Sequence, residues 1–173
     1  MKLQDFFEYK NRLMHDLLTN ETIVKLLDDS ATLETAPSLV YKNVFPYQYI
    51  PDTVEHGLNF ICCDVDIQKQ SYRSTQSKKT FYNPVLYIWI MVPKDKMRLP
   101  NGGIRTDRLC SEIAKEIVGS MYYGIGRLEL ESVRRFVDII DFQGKQLTFT
   151  LKEWNDPHLG VNEDIPENRK RWS

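Results

Sequence analysis

The residues best equipped for chemistry sit in one short run, FICCDVDIQK, residues 60–69. Asp64 and Asp66 stand two apart, a spacing that on a strand points both carboxylates the same way and offers oxygen ligands suited to Mg²⁺. Asp52 lies upstream in a Pro-Asp pair, and Lys69 lies downstream. Cys62 and Cys63 are adjacent, and neighbouring strand side chains project to opposite faces, so the two thiols do not chelate one ion from a regular strand, even with His56 nearby. With Cys110 they make an odd number of cysteines without metal-ligand spacing, the pattern of reduced, packed thiols. None of the three histidines stands in a recognisable nucleophile motif.

The acidic pair resembles the active site of restriction-type nucleases, but with a defect. In that pattern the lysine stands two residues after its acid, on the face that holds the metal. Here that position is Gln68, and Lys69 faces away. A Mg²⁺-dependent nuclease using Asp52, Asp64, Asp66 and Lys69 is therefore the alternative reading; the expectation is strand carboxylates that face solvent or an interface. NGGIRTD, residues 101–107, sets two glycines before a helix, yet it lacks the Gly-Lys-Ser/Thr ending of a phosphate-binding loop. Arg105 and Arg108 then fall at the positive end of a helix, where Asp107 compensates only in part. They are either solvated or paired with acidic groups of an adjacent subunit. The aromatic segment with Tyr41, Phe45, Tyr47, Tyr49 and Ile50, broken by Pro46 and Pro51, either covers one end of the core or forms an adhesive surface.

The elements that position these groups follow from hydrophobic period. Leu3, Phe6, Phe7, Leu13, Met14, Leu17 and Leu18 recur at helical spacing, which predicts a helix over residues 3–18. Asn20 is the expected N-cap of a second, short helix containing Ile23, Val24, Leu26 and Leu27. From Leu58 the period becomes two: Ile61, Cys63, Val65 and Ile67 share one strand face, and Cys62, Asp64 and Asp66 the other. Residues 69–80, KQSYRSTQSKKT, read as a long hairpin tip. NPVLYIWIMVP is apolar on both faces and belongs in the middle of a sheet. After a Pro/Gly-rich loop at 93–103, a helix of about four turns runs from Ile104 towards Met121, closed by Gly124 and Gly126. RLELESVRRFVDII slips phase near Val133 as a bulged strand does. DFQGKQ reads as a turn, and LTFTLKEW as the last strand. The fold class is α+β: an antiparallel sheet packed on one side by two main helices.

With 173 residues, 42% of them hydrophobic, the chain suits one domain with one core. The expected division is a domain over residues 1–154 and an arm over 155–173, which has few core residues of its own and is expected to be ordered by neighbours. The formal net charge of -1 gives little support for tight binding to bare nucleic acid, so the expected partners are proteins. No apolar run approaches a membrane span and the N-terminus lacks a signal-peptide centre, so no membrane partner is expected and the protein is expected to be made in the cytoplasm.

The order of IVKLLDD, VFPYQYIPDT, the strand pair, GIRTDRLCSEIAKEIVGS, GIGRLELESV and LTFTLKEW resembles the tail terminator, or tail-completion, proteins of long-tailed bacteriophages and prophages, over about residues 3–154. The resemblance implies a structural virion protein and not an enzyme. It forms a ring, hexameric in the family, that caps the tail tube, ends its growth and joins it to the head connector. No cofactor or metal is implied. The implied partners are sister copies, the tail tube protein, a connector or stopper protein, and a sheath protein if the tail is contractile, with DNA passing through the lumen. The localisation implied is the virion neck, assembled in the host cytoplasm. Another neck or connector protein is the nearest alternative. Candidate contact residues are Phe45, Tyr47 and Tyr49; Arg73, Lys78 and Lys79; Arg98, Arg105, Asp107 and Arg108; and Arg169, Arg171 and Trp172 in the arm. Candidate lumen residues are Asp64, Asp66, Glu129 and Glu131, because acidic walls do not grip phosphate. A ring also offers a way to satisfy sheet edges that a single copy leaves unpaired.

Overall fold

A computed structural model describes residues 3–49, 57–73, 78–120, 127–136 and 141–151. The chain begins with helix α1, Leu3–Thr19, and the short helix α2, Glu21–Leu27. Asn20 caps α2 as its sequence position predicts: its side-chain oxygen accepts from the Thr22 and Ile23 N–H groups at 2.9 and 3.2 Å. Strand β1, Val44–Phe45, is followed by the long strands β2, Phe60–Arg73, and β3, Lys78–Pro93. Helix α3 covers Arg105–Ile117, and strands β4, Leu128–Phe136, and β5, Phe142–Leu151, complete the fold.

The strands form one five-stranded sheet in the order β1-β2-β3-β5-β4. This is the expected α+β architecture, with the doubly apolar β3 in the centre. The antiparallel expectation needs one correction, because β1 pairs parallel with β2 through Val44↔Ile61 and Phe45↔Cys62. Every other pairing is antiparallel. The main core lies between one sheet face and the helices. Leu13, Leu17, Ile23, Leu109, Ile113 and Ile117 meet Ile61, Cys63, Leu86, Ile88, Ile90, Leu147 and Phe149 there, all with no accessible surface. Burial of side chains of this size stabilises the fold by about 1.5–3 kcal/mol each.

Three further boundaries differ from expectation. The hairpin tip shrinks, because residues 69–73 and 78–80 continue the β2–β3 ladder to the rung Arg73↔Lys78; backbone pairing needs no apolar side chains, so the Ser/Thr/Lys/Gln composition concealed it. Helix α3 ends at Ile117, where Gly119 adopts φ 77 and Val118 N–H closes on the Ala114 carbonyl. Met121, Gly124 and Gly126 lie outside the described residues. DFQGKQ is not a turn throughout, since Phe142 to Gln146 already pair with β3. The predicted bulge is present, between Leu130 and Ser132, which leaves Glu131 as the extra residue.

Candidate functional site

The aromatic segment resolves into two behaviours. Phe45 is buried, stacked on Tyr49 with ring centroids 4.1 Å apart and tilted against Phe60 at 6.2 Å. Phe60 in turn meets Phe142, and together with Cys62 and Met91 these residues form a second, smaller core on the sheet face away from the helices. Phe45 is thus corrected from contact residue to core residue: β1 pins its backbone to β2 and leaves the ring no route to the surface. Tyr49 is half-buried over the same cluster, while Tyr47 remains 46% exposed at its rim. Of the open alternatives, covering the core describes Phe45 and Tyr49. Ile50, Asp52 and His56 lie outside the described residues.

Arg105 is corrected in the same way. Only 3% of it is exposed. Its guanidinium donates to both carboxylate oxygens of Asp29 at 3.0 and 3.2 Å, to the Leu26 carbonyl at 2.9 Å and to the Lys96 carbonyl at 3.0 Å. A fork of fixed donors is the group suited to join a carboxylate and orphan carbonyls in one place. Asn59 adds donors to the Leu26 and Leu27 carbonyls, so the end of α2 is satisfied by two side chains distant in sequence. The misplaced cation at the start of α3 was the sequence signal; its explanation lies across the fold in Asp29. Arg108 stays on the surface, 3.1 Å from Glu112 one turn on. Asp107 pairs with Lys145 of β5, and Arg98 is exposed beside its bridge to Ile104.

The acidic strand residues do not converge. Asp64 is 3.1 Å from Lys10 of α1 and also accepts from the Val65 N–H at 2.9 Å. Asp66 is exposed farther along β2. Glu129 and the bulged Glu131 belong to β4, at the other side of the sheet and three strand spacings away, roughly 14 Å. Among the described residues no group of three His, Cys, Asp or Glu side chains is gathered as a metal ion would require. The three thiols are free and buried. Burial pushes Cys62 and Cys110 up to about 11 and Cys63 higher still, because a thiolate there would lose its hydration.

What the fold does assemble is a pair of open strand edges and a ribbon. Beyond Cys62, where β1 ends its pairing, no described strand flanks β2, and none flanks β4 on its outer side. The β3–β5 ladder stops at Leu86↔Phe149, while β2 and β3 remain paired from Asp66↔Val85 to Arg73↔Lys78. That is a two-stranded ribbon roughly 25 Å long, of a kind only marginally stable unless it packs on something. Arg73, Lys78 and Lys79 lie at its end by backbone position; their side chains are outside the described part. The arm with Arg169, Arg171 and Trp172 is outside it entirely.

A five-stranded sheet with one helix-covered face and a long two-stranded ribbon defines a small α+β domain. The chain belongs to the YomW family, whose model matches residues 20–151. A search of curated proteins gave no match.

Proposed function

We propose that this protein is a structural subunit of a phage neck, assembling into a ring that caps the tail tube and joins it to the head connector. The observation that carries the reading is the pair of strand edges, on β2 and β4, that no other described strand flanks. An open edge is a template for another strand, and soluble chains normally blunt or cover it. Membership of the YomW family, for which a phage origin is in keeping, and the two-stranded ribbon that no other described strand flanks support the same reading. In the ring, Tyr47, Arg98 and the ribbon end face neighbours or the tail tube, and the acidic strand residues are candidates for the lumen wall. The test is to purify the full chain, measure its mass by light scattering and image it down any symmetry axis, with and without tail tubes. Closed rings that sit on tube ends support the proposal. A monodisperse monomer without affinity for tubes, or Mg²⁺-dependent DNA cleavage lost in Asp64→Ala, overturns it.

A further inference from the structure

We infer that β4 of one copy pairs antiparallel with β2 of the next, Val133 opposite Val65, so that the sheet runs on from copy to copy. This inference rests on the ring reading and gives it a specific joint.

Strand direction is the first requirement. From β2 through β3 and β5 to β4 each step is antiparallel, so four strands alternate and β4 runs opposite to β2. A second copy, rotated about an axis along the strands, therefore presents its β2 antiparallel to the first copy's β4. Three strands or five in that run would have set the two edges parallel.

The outward backbone groups meet the second requirement. Ile61 donates its N–H to the Asn43 carbonyl, on the β1 side, so by alternation Cys63 and Val65 also turn outward. Val65 bears this out, since its N–H is held by the Asp64 carboxylate and not by a strand. On β4 the Leu128 carbonyl accepts from Gly119 N–H, so Leu128 turns outward. The bulge at Glu131 resets the phase, and Val133, opposite Leu147, is again an outward residue. On both edges the outward residues carry side chains on the helix side of the sheet: Cys63, Val65 and Leu128 pack in the main core, and Val133 shares the face of Leu147. Opposed residues of an antiparallel ladder share a face, so the joint keeps the helices of both copies on one side.

The register is limited by what is covered. β1 occupies Ile61 and Cys62, so the first open rung is Cys63; with Val133 opposite Val65 that rung takes Arg135, and β4 has to leave the joint there, before Phe136. Val133 is a 44% exposed hydrophobic residue, and Val65 is only partly buried at the core margin. Opposing them buries both and sets Arg134 across from Asp64, whose carboxylate is held by Lys10, so that the joint adds a second opposite charge to that acid. In the joint the Val65 N–H passes from the Asp64 carboxylate to the Val133 carbonyl, one acceptor replacing another.

The test uses the full chain carrying Val65→Cys and Val133→Cys together. Opposed residues of such a rung stand about 5.5 Å apart at Cα, within disulfide reach, and the native thiols are buried. Mild oxidation is expected to give a ladder of covalent oligomers ending at the ring number, and neither single variant is expected to cross-link. Val133→Lys, which charges the edge without touching the core, is expected to weaken association at least about tenfold with an unchanged circular dichroism spectrum. Wild-type-sized oligomers lacking the 65–133 bond, or undiminished association of Val133→Lys, overturn the joint and leave the ring standing. A wild-type chain that is monomeric at every concentration removes both.

Discussion

The two ends of the β2–β3 pair share a backbone ladder and little else. At the Phe60–Met91 end, helices close one face and the Phe45, Tyr49 and Phe142 rings close the other, with β1 and β5 alongside. At the Arg73–Lys78 end the described neighbours have run out, and the residues are mostly Ser, Thr, Gln, Lys and Arg, with Tyr72, Phe81 and Tyr82 among them. The contrast separates two tasks that one hairpin performs. Its base obtains stability from burial within the chain, whereas its far end obtains none from the described body and is available to something else.

Substitutions at the two ends should differ accordingly. Phe60→Ala, at the meeting point of three other rings, is expected to cost about 3–5 kcal/mol in chemical denaturation. Arg105→Ala removes no apolar core but leaves the Lys96 carbonyl without this donor and the α2 end with one donor fewer; about 2 kcal/mol is expected, and Lys at that position should recover little of it because it has no fork. The buried Cys62 thiol at the base adds a pH dependence. Its folded-state pKa is raised above the unfolded value of 9.0, so its contribution is fully present below pH about 9 and is lost as pH rises through about 11. Thermal melts of wild type and of Cys62→Ala should converge across that window. Replacing residues 70–81 of the ribbon by an Asn-Gly turn between the paired Lys69 and Tyr82 should change stability by no more than about 1 kcal/mol and, on the proposed ring reading, remove binding to tail tubes. A large loss of stability in that variant would mean that the ribbon belongs to the body after all.

How much of this was legible in the sequence depended on whether a residue's role was local. Helix α1, the Asn20 cap, the alternation of β2 and the bulge of β4 all express a short-range period or a single hydrogen bond, and the sequence shows each. β1 escaped notice because two residues carry no period. The start of β5 was hidden by Gly144, which suggests a turn but sits in the ladder between Met91 and Phe136. Phe45 and Arg105 were recognised as unusual and assigned to the outside. Their partners, Phe60 and Asp29, are 15 and 76 residues away, and nothing local identifies them. The open edges were the least legible feature, since they depend on β5 returning between β3 and β4. Spatial strand order is a property of the finished sheet.

The Arg105 clamp has one further consequence, for the order of folding. It joins the end of α2, the turn at Lys96 and the start of α3, and the full set of bonds is complete only when all three have arrived. An interaction with that requirement does not guide the chain toward its native form; it holds the form once reached, and so acts chiefly on how long a folded copy lasts. On the ring reading proposed above, in which a folded copy waits to be incorporated, lifetime is the relevant quantity.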